Sequence, residues 1–308
     1  MRIPKIIINI LLTSLFVSSV SADQCRRIHI GLVNWTDIEA TTALTSSLMK
    51  ELGFRVRTSV NTVPTTLDKL SKGKVDAFLG NWMPSNSTTI QPYFDNGSIV
   101  KLSTNLVGAK YTLAVPQYVY DAGVRTFQDL AKHADKFQKR IYGLEANNDG
   151  NVIIDNMIAD NAYGLKGFKL IATSERIMLA QLRKKSRNKD WIAFLAWEPH
   201  PMNVNFDIAY LDGDKKYFGE NYGASTVETI VRKGFVEECP ELAKLLKNLK
   251  FSLKMENELM ADIQDNHIDP KSAAWKWMAK NTQQVSKWLE GIELGDDKSI
   301  NDIVASFE

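Results

Sequence analysis

Apolar and polar positions along this chain switch between period-two and helical spacing, and the switching lays out an alternation of strands and helices. Residues 28–33 are apolar and rich in β-branched side chains, as a buried strand requires. Asn34-Trp35-Thr36-Asp37 then leads into a helical pattern over 40–52 that Gly53 stops, with Thr36 or Asp37 placed to cap it. Residues 54–60 read as a strand, 65–71 as a short helix and 75–80 as a buried strand. Residues 111–116 form another strand, ended by Pro116. A helical pattern covers 126–136, and a short strand at 141–144 opens into a polar loop, 145–150, that caps a helix starting near Asn151. Ser174 stands as N-cap of a helix running to 187, and 191–196 is the most apolar strand. From 237 the chain turns helical, with segments at 238–249, 255–265 and 270–288. Strands alternating with helices predict an α/β fold with parallel sheets. No short repeat and no low-complexity linker interrupts the pattern.

Residues 1–22 stand outside this alternation. Arg2 and Lys5 precede an apolar run over 6–17, and Val20-Ser21-Ala22 supplies small residues where an export signal is cleaved. The run is short for a membrane span, so cleavage and export are expected, with an uncleaved anchor as the alternative. Asp23 and Gln24 argue against a lipid anchor on Cys25. The formal net charge is +2, and 1–22 carries two cations and no acid, so the mature chain is neutral. It has no basic excess to neutralise phosphates, which argues against a nucleic-acid partner. The run Arg183-Lys184-Lys185-Ser186-Arg187 reads as a solvated helix face. The two cysteines, Cys25 and Cys239, would meet an oxidising compartment, where a disulfide is the natural reading and a pair of free buried thiols the alternative. A bridge would bring the mature N-terminus beside the segment around 239, so the chain leaves its first lobe and later returns to it.

Catalytic patterns are thin. Gly223-Ala224-Ser225-Thr226-Val227 lacks the second glycine of a nucleophile elbow, and His29, His133, His200 and His267 have no metal-ligand spacing. No glycine-rich phosphate loop is present, and no cofactor is implied. What recurs is an aromatic at a strand end: Trp35, Trp82 and Trp197 close three strands, and Tyr111 heads a fourth. Ligands of open α/β sheets lie beyond the carboxyl ends of the strands. Several aromatic faces converging there would hold a quaternary ammonium group, which has no N–H to donate and relies on dispersion and cation–π attraction. Taken alone, Trp35 and Asp37 fit a core tryptophan beside a helix cap equally well. Trp275, Trp277 and Trp288, at helical spacing, read as core.

Four stretches carry a specific resemblance. Asn34 to Ile38 (NWTDI), Gly80 to Pro84 (GNWMP), Ala109 to Pro116 (AKYTLAVP) and Ala196 to Asn203 (AWEPHPMN) resemble the choline-binding members of the glycine betaine/choline substrate-binding family of bacterial ABC importers. Asn148 to Asn151 and Leu246 to Phe251 extend the similarity through nearly the whole mature chain. The resemblance implies a type II periplasmic binding protein fold, two hinged α/β lobes that close over ligand. Lobe 1 would span 23–113 and 211–308, and lobe 2 would span 114–210. It places an aromatic box on Trp35, Trp82, Tyr111 and Trp197, polar contacts to the choline hydroxyl on Asp37 and Asn148, and a cysteine bridge on Cys25 and Cys239. Asn34 stands where some relatives carry glycine, and Ala196 replaces the glycine before Trp197; both are neighbours of the box. The implied protein is a monomeric, non-enzymatic periplasmic carrier of choline, and of acetylcholine as a further ligand. Its partners would be an ABC permease and its ATPase at the inner membrane. A betaine binder of the same family and an extracytoplasmic sensor are the alternatives.

Overall fold

Strand β1 (Arg27–Leu32) buries Ile28 and Ile30 and pairs in parallel with β2 (Arg55–Val60) on one side and β3 (Ala77–Met83) on the other. The crossovers are helix α1 (Thr36–Glu51) and helix α2 (Val63–Ser71). The computed structural model describes residues 25–213, 215–293 and 300–307, so the expected export signal at 1–22 lies outside the described residues. Strand β4 (Ile99–Pro116) is followed by β5 (Arg140–Tyr142), helix α3 (Asp149–Ala159), β6 (Lys169–Ile171), helix α4 (Glu175–Asn188), β7 (Ala193–Glu198), β8 (Ile208–Tyr210) and β9 (Ala224–Arg232). The longer helices of the carboxyl-terminal part are α5 (Pro240–Asn248), α6 (Leu253–Gln264), α7 (Pro270–Lys280) and α8 (Thr282–Trp288).

These strands make one curled sheet in the order β2-β1-β3-β9-β4-β7-β5-β6, with β8 pairing β4. The two ends are parallel, as alternation predicts. The centre is not: β9 runs antiparallel to both β3 and β4, and β4 antiparallel to β7 and β8. The sheet is therefore mixed. Two things hide its centre from a periodicity reading. Strand β4 slips register against β9 three times between Lys101 and Ala109, so its alternation is broken. One of its buried polar residues also finds its partners far away in sequence: Asn105 Nδ2 donates to the Leu79 carbonyl at 2.8 Å and to Thr229 Oγ1 at 2.9 Å. Strand β4 is the beam of the molecule. Its first part pairs with β9 and its last with β7 and β8, so one continuous strand belongs to both halves of the sheet.

Helix α1 starts at Thr36, four residues earlier than its apolar pattern, and Trp35 occupies the cap position without a side-chain cap. Thr36 and Asp37 are therefore first-turn residues rather than caps. The helix is buried nearly all round because α6 and α7 cover the face that the sheet does not. Thr41 and Thr45 tolerate this burial by donating to the carbonyls one turn back, at 2.9 and 2.7 Å. The expected single helix over 270–288 is two, broken at Asn281. The helix expected over 126–136 is ordered only over Phe127–Lys132, with Gln138 and Lys139 turning left-handed beyond it. Trp277 and Trp288 stack at 5.7 Å in the core, and Trp275 packs against Phe307.

Cys25 and Cys239 are bridged across a separation of 214 residues, tying the residue pair before β1 to the start of α5. Chain entropy places the benefit of closing such a loop at about 5 kcal/mol as an upper figure. Replacing both cysteines with serine should lower the melting temperature by up to about 10 °C. Thermal unfolding of the oxidised, reduced and doubly substituted protein checks this, and equal melting temperatures would show that the bridge adds nothing to the fold.

Candidate functional site

Four aromatic side chains arrive at one place from four different elements. Trp35 ends the β1 loop, Trp82 sits near the end of β3, Tyr111 lies on β4 where its partner changes from β9 to β7, and Trp197 faces Tyr111 across the β4–β7 ladder. The Tyr111 ring stands 5.9 Å from Trp82, tilted at 54°, and 6.4 Å from Trp197, edge-on at 81°. Trp82 and Trp197 are each followed two residues on by a proline after a cis peptide bond. With Asp37, Leu144, Asn148 and Asp149, the four rings line one narrow cavity. Every one of these residues is buried.

The polar groups in this apolar space are few and incompletely paired. Trp82 Nε1 donates to Asp37 Oδ2 at 3.1 Å, and Asp37 Oδ1 has no partner. Asn148 caps α3: its Oδ1 accepts from the Asn151 amide at 3.2 Å and from the Tyr111 hydroxyl at 3.0 Å. Those two donors fix the orientation of the amide and leave Asn148 Nδ2 unpartnered. Ser85 donates to Asp149 Oδ2, and Asp149 Oδ1 is likewise unpartnered. Trp35 Nε1 donates to both oxygens of Glu145, at 2.9 and 3.1 Å. Gly150 lets these parts close up, because a Cβ there would collide with the Tyr111 hydroxyl.

Burial sets the electrostatics. It raises the Asp37 carboxyl to about 7, helped by the charge of Glu175 and opposed by the Trp82 N–H. Burial also lifts Asp149 and Glu145, against hydrogen bonds from Ser85 and Trp35. The Tyr111 hydroxyl is pushed up by burial and by Asp149 and Glu145, and stays protonated. The site is thus acidic and dry, able to hold a cation that brings one hydrogen-bond donor and one acceptor.

The geometry brings together all six residues singled out from the sequence: Trp35, Asp37, Trp82, Tyr111, Asn148 and Trp197. Lys110, the nearest cation in sequence, lies 5.1 Å over the Tyr210 ring instead, and Glu198 is not among the lining residues. Asp149 was read from the sequence as lying near the box and does line the cavity, whereas Leu144 and Glu145 were missed as individual residues. They sit at or beside the polar loop 145–150, whose position after a short strand was the available signal. Ser85 and Glu175, also missed, have no local motif.

Residues 26–280 match the OpuAC family, the substrate binding domain of the ABC-type glycine betaine transport system. A solved ABC-transporter choline binding protein in complex with choline is 42% identical, covers 93% of this chain and 99% of its own, and superposes with a TM-score of 0.90. An ABC-transporter choline binding protein in an unliganded semi-closed conformation is also 42% identical, over 92% and 98% of the two chains, with a TM-score of 0.84. The described arrangement is therefore nearer to the choline complex. The glycine betaine/carnitine transport binding protein GbuC of Listeria monocytogenes is 32% identical over 160 residues, 52% of each chain.

A raised carboxyl gives a signed test. Asp37 moves from 3.8 to about 7, so its neutral form is favoured by folding. Its contribution is complete below the unfolded value and is lost as pH rises through about 7. Asp37→Asn stays neutral throughout. Without ligand, its melting temperature relative to wild type should climb between pH 5 and pH 8; a difference that stays flat across this range would show that Asp37 titrates normally.

Proposed function

Because the chain belongs to the OpuAC family of ABC-transport substrate-binding domains, we propose that it captures choline, with acetylcholine as a further ligand, in an aromatic cage. In this reading Trp35, Trp82, Tyr111 and Trp197 surround the trimethylammonium head, each face contributing about 0.5–2 kcal/mol. The lobes, 23–113 with 211–308 and 114–210, close over the ligand and present it to the permease and ATPase of an importer. Residues 1–22 direct the chain to the periplasm.

One observation carries the choice of ligand. The buried atoms left unpartnered at the cavity are two carboxylate oxygens, Asp37 Oδ1 and Asp149 Oδ1, and one amide donor, Asn148 Nδ2. A choline hydroxyl answers this set: it donates to Asp37 and accepts from Asn148. Its cation offsets the buried charge. The betaine head is the same, but its tail is a carboxylate, which needs cations or several N–H donors. None of the residues lining the described cavity is Arg or Lys. Asp37 and Asp149 would repel such a tail at low dielectric, so choline should win by about a hundredfold or more.

Calorimetric titration with choline, acetylcholine and glycine betaine tests the reading; equal affinity for choline and glycine betaine would hand it to the betaine alternative. Trp35→Ala, Trp82→Ala and Trp197→Ala should each weaken choline binding by about 1–3 kcal/mol, non-additively because the rings share one ligand. Asp37→Asn should weaken choline binding and relax the exclusion of glycine betaine.

Proton linkage gives a separate check. A bound cation favours ionised Asp37, which below about pH 7 must first release a proton. Choline affinity should therefore be level above that pH and fall by up to about tenfold per unit below it. An Asp37→Asn variant that shows the same fall would assign the linkage to another group.

A further inference from the structure

Helix α1 delivers two cage residues, Trp35 and Asp37, yet has no side-chain cap of its own. Its cap comes from 139 residues away. The Thr36 amide donates to Glu175 Oε2 at 3.1 Å, and the Thr36 hydroxyl donates to Glu175 Oε1 at 2.5 Å. Gln264 at the end of α6 donates to the same Oε1 at 2.9 Å. From the other half of the sheet, His200 Nε2 donates to Oε1 at 3.1 Å. The His200 tautomer is fixed, because its Nδ1 accepts from the Met202 amide at 2.9 Å. Glu175 also lies in the first turn of α4, which Ser174 caps, so the amino ends of α1 and α4 converge on one carboxylate. It is buried; burial lifts it, but the bonds from His200 and Thr36 outweigh that and hold it below the ordinary carboxylate range.

These contacts reach the cage from both sides. Thr36 stands between Trp35 and Asp37 in the first turn of α1. The His200 ring lies 4.6 Å from the Trp197 ring at 67°, so the imidazole that Glu175 holds backs the opposite aromatic wall. We propose that Glu175 is a positioning residue that latches α1 and α6 to α4 and His200, and so sets the closed spacing of Trp35, Asp37 and Trp197. When the halves part, Thr36 and Gln264 leave together, and Glu175 keeps only His200. Its bonds to the first half exist in the closed form alone, so they slow ligand escape without speeding capture. This role rests on the cavity being a ligand site, and is independent of which quaternary ammonium compound fills it.

The test compares wild type, Glu175→Gln, Glu175→Ala, Thr36→Val and the double variant Glu175→Gln/Thr36→Val. The probe is whichever of choline, acetylcholine and glycine betaine the wild type binds most tightly, so an error in the ligand assignment shows in the wild-type titration and leaves this comparison intact. Glu175→Ala should weaken binding by about tenfold or more, through faster dissociation with little change in association, since charge-assisted bonds between the halves are lost. Small-angle scattering at saturating ligand should show less compaction than in wild type. The double variant should weaken binding by less than the sum of the two single effects, because both substitutions act on one shared contact. Affinity and dissociation rate of Glu175→Ala within about twofold of wild type would overturn the proposal. So would strictly additive effects in the cycle, which needs no alanine variant and covers the case in which Glu175→Ala fails to fold.

Discussion

A carboxylate held among aromatic rings and out of water is unfavourable until something positive joins it, and much of this molecule is arranged around that condition. Asp37 has one partner, Trp82 Nε1, and one oxygen without any. Burial and the nearby Glu175 push it towards the neutral form. A cation reverses the balance, since it restores the favourable field that water supplied. The rings contribute attraction to the same cation without adding polar groups that would themselves need partners. Acidity and aromaticity are therefore complementary parts of one device.

Bringing those parts together is the task of the sheet. Tyr111 lies where β4 exchanges β9 for β7, between Trp82 on one half and Trp197 on the other. Polar links also join the two halves: Trp35 to Glu145, Ser85 to Asp149, and Thr36 and Gln264 to Glu175. Such directional bonds fix a spacing but can be exchanged for water when the halves part. An apolar seam would resist opening. The division of labour is aromatic contact around the cavity and hydrogen bonding around its rim.

What could be read from the sequence follows the range of the interactions. Trp82 and Trp197 each end an apolar strand run and precede a Met-Pro or Glu-Pro step, so local pattern marks them. The cysteine pair was legible from count and compartment, and the bridge is present. The front of β4 was not legible, because Lys101, Ser103 and Asn105 break the apolar alternation, and the partners of Lys101 and Asn105 are distant in sequence: Glu228 for the first, the Leu79 carbonyl and Thr229 for the second. Thr36 and Asp37 look like caps because the true cap, Glu175, belongs to a remote helix. Glu175 itself reads as an ordinary first-turn acid after Ser174.

The place of β9 in the sheet has a consequence for how the chain reaches this form. Strand β3 is flanked by β1 and β9, and β9 begins only at Ala224. In a chain made from its amino end, β1, β2 and β3 can pair with one another early, yet the far edge of β3 stays bare until more than two-thirds of the polypeptide exists. The ladder of β7, β5 and β6 needs only contacts between 140 and 198 and can assemble meanwhile. A bare edge strand is an invitation to foreign pairing, and non-local closure is slow. The pairing of β3 with β9 is therefore the long-range closure on which completion of the sheet waits.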